Sequence, residues 1–257
     1  MTESLKINGR PPAFVYRNRK LHCESAEMSR LAAQYGTPLY VYSATSIQQR
    51  FQKFDAAFEK HPHTICYSVK ANSNLAILKM LAKMGAGFDV VSGGELERVM
   101  RADKSAAKRA VFSGVGKTAP EMDLALRAGI LLFNLESEAE LHVLAERAAK
   151  LQKTARIAFR MNPHVHATTH PYITTGLREH KFGVNIDDAP RLYGEAARLD
   201  WLEPAGVSVH IGSQITDVAP FGETMERVTR LAHQLMREGP NISLVDAGGG
   251  LGINYEG

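Results

Sequence analysis

Ile65-Cys66-Tyr67-Ser68-Val69-Lys70-Ala71-Asn72 is an apolar run closed by a lysine. Ile65 to Val69 reads as a short buried strand, which places Lys70 at its inner end. A buried ammonium is costly, so a lysine there needs a partner or a task. One task is carbonyl chemistry: a desolvated lysine loses its proton readily and forms a Schiff base with a carbonyl cofactor. The ordinary alternative is a strand-end lysine with its amine in solvent, which position alone favours.

Working outward, the apolar runs recur at Phe88–Val91, Ala110–Ser113, Ile130–Asn134, Ala155–Met161, Gly206–Ile211 and Ile242–Val245. Helical spacing separates them. Leu75, Leu78, Leu81 and Ala82 mark one face; Leu141, Leu144, Ala145 and Ala148 another; Val228, Leu231, Ala232 and Leu235 a third. Strand alternating with helix means parallel strands joined by right-handed crossovers. An open doubly wound sheet and a closed (β/α)8 barrel both satisfy that pattern. Lys70, Ser92, Ser113, Asn134, Arg160 and His210 all fall at or just past the C-terminal ends of different strands. A barrel gathers its chemistry from many strand ends, whereas an open sheet uses one switch point, so the expectation is the barrel.

Asp246-Ala247-Gly248-Gly249-Gly250-Leu251-Gly252 follows the last apolar run. Successive glycines let backbone N–H groups converge on a phosphate. A flexible turn is the plain alternative. A dinucleotide fingerprint fits poorly, because its final glycine would fall at Ile253.

Other segments bound the reading. Phe14 to Cys23 reads as two short strands about a polar Arg17-Asn18-Arg19-Lys20 turn, and a helix from about Glu27 to Tyr35 stops at Gly36. The connection from Asn162 to Asn185 is long enough to be functional or mobile. It carries His164, His166, His170 and His180, yet no cysteine or carboxylate cluster completes a coordination shell, so no metal is expected. The 31 basic and 27 acidic residues, net charge +4, are interspersed, with no basic block for nucleic acid. Two cysteines, Cys23 and Cys66, make no disulfide framework; Cys66 reads as a small strand residue. No run reaches the length of a membrane span, and residues 1–10 lack the apolar centre of a signal peptide, so a cytoplasmic location is expected.

The Lys70 run, Phe88-Asp89-Val90-Val91-Ser92-Gly93-Gly94-Glu95-Leu96, His210-Ile211-Gly212-Ser213-Gln214 and the glycine stretch together resemble the pyridoxal-phosphate decarboxylases of the alanine-racemase-like fold. Met161-Asn162-Pro163, Thr169 to Gly176 and Lys181-Phe182-Gly183 are similar to the diaminopimelate decarboxylase family rather than to ornithine decarboxylase. The resemblance runs from about Pro38 onward. It implies a (β/α)8 TIM-type barrel over residues 36–257, preceded by residues 1–35 as a lead-in helix and the opening of a second, β-rich domain. It implies decarboxylation of meso-2,6-diaminopimelate to L-lysine and CO2, with pyridoxal 5′-phosphate as cofactor and a homodimer as the assembly. An ornithine- or arginine-type decarboxylase, or a shortened non-catalytic relative, stays open. Residue by residue, it implies that Lys70 holds the cofactor aldehyde and that His210 lies flat against the ring. Ser213, Gly248, Gly249 and Gly250 would serve the phosphate. Asp89 would lie close to the lysine, where a carboxylate favours the charged amine. Glu95 and Arg160 would form a supporting ion pair. The pattern stops after the seventh strand at Gly257, so a fragment of a longer enzyme, without its eighth strand and the acid that faces the pyridine nitrogen, is expected.

Overall fold

The computed structural model describes residues 13–165 and 182–253. They fall into two compact units that meet at Ile65/Cys66 in the chain. His166, His170, His180 and the Thr169 to Gly176 segment lie outside the described residues.

The first unit opens with β1 (Phe14–Arg17) and β2 (Lys20–Cys23), an antiparallel hairpin in which Arg17 faces Lys20. Asn18 and Arg19 take φ of 49° and 64°, the paired left-handed conformations that match a two-residue turn to strand twist. β3 (Ala26–Glu27) pairs with β2, and α1 (Met28–Tyr35) ends at Gly36 with φ 81°. α2 (Ala44–Ala56) was not read from the sequence: none of its residues is buried, so its apolar positions mark no clear face. Its start is set by Ser43, whose Oγ accepts from Ser46 N–H at 3.0 Å while donating to Glu24 at 2.7 Å.

The second unit alternates strand and helix: β4 (Cys66–Ser68), α3 (Leu75–Lys83), β5 (Gly87–Val90), α4 (Gly93–Ala102), β6 (Ala110–Phe112), α5 (Ala119–Ala128), β7 (Leu132–Leu135), α6 (Glu138–Leu151) and β8 (Ala155–Asn162). The two-residue β9 (Val184–Asn185), α7 (Ala189–Ala196), β10 (Leu202–Val209), α8 (Ala219–Glu238) and β11 (Leu244–Asp246) complete it. Seven strands lie in the order β11-β10-β8-β7-β6-β5-β4, every pair parallel, with β9 added to β8. Neighbours in space are neighbours in sequence. A doubly wound sheet would reverse direction once; this one never does, as in a barrel. Each expected strand is present within a few residues. β10 begins four residues earlier than the apolar run, because Glu203 and Pro204 disguise its start.

Period-2 alternation sorts the side chains. Phe88, Phe112, Phe133 and Phe159 are fully buried or nearly so and face the helices. On the other face Val111, Leu132, Ala158 and Ala205 pack together with Cys66 and Leu244. One pleat further toward the C-terminal ends that face turns polar: Ser68, Asp89, Ser113, Asn134, Arg160, Ser208 and Asp246. The curl of the sheet is measurable there. Asn134 of β7 donates to Asp246 of β11 at 2.6 Å, although β8 and β10 lie between their strands.

Local chemistry starts the helices. Asn74, Ser92 and Ser137 each accept a backbone N–H two or three residues on, and Thr118 with Glu121 forms a capping box. The β8–β10 register shifts between Pro204 and Gly206. Buried Tyr193 fills that irregularity: its hydroxyl donates to Gly206 O at 2.6 Å and accepts from Phe159 N–H at 3.1 Å. Among the described residues no helix is long and apolar enough to cross a membrane.

Candidate active site at the strand ends

β4 runs into one 3-10 turn, Val69–Ala71. Val69 is fully buried, whereas Lys70 is exposed. Of the two readings of its position, the strand-end lysine turned toward solvent is the one found. Successive side chains in a 3-10 turn part by about 120°, so burying Val69 turns Lys70 out of the core. Lys70 borders a cleft of about 410 Å3 with Ser73, Ser92, Glu95, Arg98 and Arg101.

His210 stands just past β10, half-buried. Its Nδ1 accepts the Gly249 N–H at 3.3 Å. An amide nitrogen only donates, so Nδ1 carries the lone pair and the ring proton of the neutral imidazole sits on Nε2. Burial, reinforced by the cations of Arg160 and Lys70, pushes the imidazole down to about 4, while Asp89 and Glu136 oppose the shift. His210 is thus uncharged near neutral pH. The same influences bring Lys70, Asp89 and Arg160 into the field of one ring, which joins four of the residues singled out from the sequence. Asp89 itself accepts from Ser68 Oγ at 2.8 Å.

The expected Glu95–Arg160 pair is not formed. Arg160 donates to Glu136 Oε1 at 3.0 Å and its guanidinium lies 5.6 Å from the Phe182 ring centre. Glu95 folds back instead, accepting the Val91 N–H at 2.9 Å, while its own N–H donates to Ser92 Oγ at 3.2 Å. The reason is local: Glu95 is three residues past the Ser92 cap, and from there its carboxylate reaches back to the Val91 N–H just before the helix. Ser92-Gly93-Gly94-Glu95 carries that capping signature in the sequence. Glu136 was not singled out. It follows Asn134 by two residues and so emerges on the same face of the strand beside β8.

Glu136 is buried, and among the described residues its Oε2 has no partner; nor does Oδ1 of buried Asn134. Beneath them lies another group the sequence did not reveal. Lys117 is buried and donates to Glu140 Oε1 at 2.7 Å, to Asn134 O at 2.6 Å and to Gly114 O at 2.8 Å. Glu140 Oε2 in turn accepts the Glu136 N–H at 2.7 Å. Apart from the mouth, Glu138, His142 and Glu195 converge between α6 and α7, where Arg191 pairs with Glu138 at 2.7 Å and Glu195 at 3.6 Å.

The glycine loop and the loop after β10 interlock. Gly248 and Gly250 have φ of 69° and 96°. A Cβ on Gly248 would lie 2.3 Å from Val209 O, and one on Gly250 1.8 Å from Gly212 O. Ile215 N–H donates to Gly250 O at 2.9 Å, and Gly252 N–H to Ile215 O at 2.8 Å. Half-buried Ser213 lies in the same loop, its Cα against Gly250. The three amides do not turn to one point as expected: Gly248 N–H donates to Asp246 Oδ1 at 2.8 Å and Gly249 N–H to His210. Cys66, in β4, donates weakly to Arg109 O, and burial with the nearby Asp246 and Asp89 pushes its thiol up to about 12, so it is an inert thiol.

The mouth holds an exposed primary amine, a neutral imidazole, a guanidinium matched by one buried carboxylate, and a glycine backbone no side chain can enter. Orphaned oxygens on Glu136 and Asn134 add acceptor capacity. This donor set suits a planar, anionic ligand that bears an aldehyde.

Comparison with known proteins gives that ligand a name. Diaminopimelate decarboxylase of Pseudomonas aeruginosa is 49% identical over 242 residues, covering 94% of this chain and 58% of its own length. The crystal structure of diaminopimelate decarboxylase from Helicobacter pylori complexed with L-lysine superposes with a TM-score of 0.85 at 43% identity, over 89% of this chain and 58% of that one. The M. jannaschii enzyme in complex with L-lysine gives 0.86 at 38% identity, over 95% and 58%. This chain thus spans a little under three fifths of the relatives it matches. Residues 44–257 match the family model described as pyridoxal-dependent decarboxylase, pyridoxal binding domain. The chain therefore belongs to the pyridoxal-dependent decarboxylases, which it matches through their pyridoxal-binding domain.

Proposed function

We propose that this chain is the cofactor-binding part of a pyridoxal 5′-phosphate-dependent decarboxylase that converts meso-2,6-diaminopimelate to L-lysine and CO2. The observation that carries it is the gathering of Lys70, Asp89 and Arg160 about His210, in a chain 49% identical to a diaminopimelate decarboxylase. The lysine held by the H. pylori relative is the product this reaction would yield.

Pyridoxal phosphate, when bound, supplies a conjugated ring that accepts the electron pair left as a carboxylate departs. Lys70 Nζ would be the nucleophile for its aldehyde, and the exposed four-carbon stem would let the amine withdraw and hold a proton at Nζ. His210, kept neutral by burial, offers a flat face that adds no charge beside the ring. Asp89 supplies a carboxylate whose charge also acts on His210. The amides of Gly248 and Gly249 are committed to Asp246 and His210, so the loop's part at the phosphate end is its shape, the Gly250 amide and the Ser213 hydroxyl. Glu136 holds Arg160 in the wall, and Glu95 ties the start of α4 to the Val91 N–H that precedes it; both act through other groups. A homodimer working in the cytoplasm is part of this proposal.

Borohydride reduction of the cofactor-loaded chain, followed by digestion and peptide mass analysis, tests it. A pyridoxyl label on Lys70 is expected. A label on another side chain, or none, overturns the site. Formation of L-lysine from meso-diaminopimelate is the expected specificity; putrescine from ornithine instead would overturn the substrate.

A further inference from the structure

Asp246 has two oxygens with different tasks. Oδ1 accepts the N–H of Gly248, two residues on, at 2.8 Å, a turn that aspartate commonly makes with its own backbone. Oδ2 reaches across the interior to Asn134 Nδ2 at 2.6 Å, with Ser208 Oγ at 3.4 Å. Asn134 is 2% exposed, and the same Nδ2 donates to Ser113 Oγ at 3.1 Å. A local turn is thereby tied to a strand 112 residues away. Its consequence lies one residue further along. Gly248 is pressed against the end of β10, where a Cβ would stand 3.0 Å from His210 Nδ1, and the following amide, that of Gly249, is the one that reaches this nitrogen.

We propose that Asp246 is a positioning residue: anchored on Asn134, it sets the glycine loop and, through the Gly249 N–H, holds His210 as the tautomer that carries its proton on Nε2. A carboxylate suits the post because it only accepts, and all three of its neighbours donate. Without it the loop loses its tie to β7, and the Gly249 N–H no longer selects which nitrogen of the imidazole carries the proton. For the cofactor this inference rests on the function proposed above; for the loop and the ring it does not.

The test uses the 257-residue chain, labelled with 15N. In Asp246→Ala the Gly248 amide should exchange with solvent about tenfold faster or more, and His210 should become a mixture of tautomers. Pyridoxal phosphate should bind about tenfold more weakly. The reciprocal swap, Asn134→Asp with Asp246→Asn, keeps a carbonyl for Gly248 and a donor–acceptor pair across the interior. It should recover exchange and affinity to within about threefold of the native chain, while each single change should not. Unchanged Gly248 exchange with an unchanged His210 tautomer in Asp246→Ala overturns the proposal. So does a swap no better than the worse single variant, which decides the matter even where Asp246→Ala does not fold. Exchange and tautomer are read without cofactor, so a failure to label Lys70 would leave this result standing. Weaker cofactor binding with Gly248 and His210 undisturbed would refute the positioning role while leaving the cofactor site intact.

Discussion

The two ends of the strand series treat their functional residues in opposite ways. At β4, Lys70 leaves a single 3-10 turn and stands exposed, and only its neighbour Val69 is locked in the core. At β10 and β11, two loops close on each other so tightly that Gly248 and Gly250 admit no Cβ, and His210 is gripped by a backbone amide. The difference matches the work proposed for each. An amine that forms and releases a covalent bond needs freedom of its stem. A ring face and an anion cradle act by being in place beforehand, and rigidity there is the source of preorganisation.

That contrast can be broken most forcefully at Gly250. Gly250→Ala puts a Cβ 1.8 Å from Gly212 O at a φ of 96°, and the combined clash and strain should cost at least about 3 kcal/mol. Urea unfolding measures it, and a loss below about 1 kcal/mol would mean the loops are not interlocked. Next comes pH. The folded-state value of His210 lies near 4, below the ordinary 6.5, so the unfolded chain binds the proton first on acidification. Stability contributed above pH 6.5 should therefore be lost as pH falls toward 4, by up to about 3 kcal/mol. His210→Phe should flatten that part of the profile; an unchanged slope would show that another group carries it. A smaller effect is expected at the seat of β10. Tyr193→Phe leaves Gly206 O and the Phe159 N–H without their buried partner, for about 1–3 kcal/mol. Denaturant midpoints with unchanged slope would check it. The smallest change belongs to the free end: Lys70→Ala should stay within about 0.5 kcal/mol of the native chain. A larger destabilisation would show that Lys70 is part of the framework after all.

Much of this arrangement was readable in advance, and the unread parts share a cause. The seven parallel strands stood out because strands covered on both faces are apolar nearly throughout, and helical spacing resumes after each. The strand ends then pointed to Lys70, Arg160, His210 and the glycine loop. Glu136 escaped because its partner is on the next strand, and Glu95 was paired with Arg160 across the mouth although its nearest needy group was its own helix start. α2 escaped because it buries nothing. Lys117 looked like any surface lysine, and only the fold puts Glu140 and two carbonyls around it.

Periodicity and motif order alone settled the class of sheet and the succession of its seven parallel strands, since those depend on burial patterns local to each segment. The curl of the sheet decided the rest. Which carboxylate meets Arg160, how Asn134 finds Asp246, and which nitrogen of His210 bears the proton all depend on distances between strands far apart in the chain. Such distances exist only once the sheet has curled.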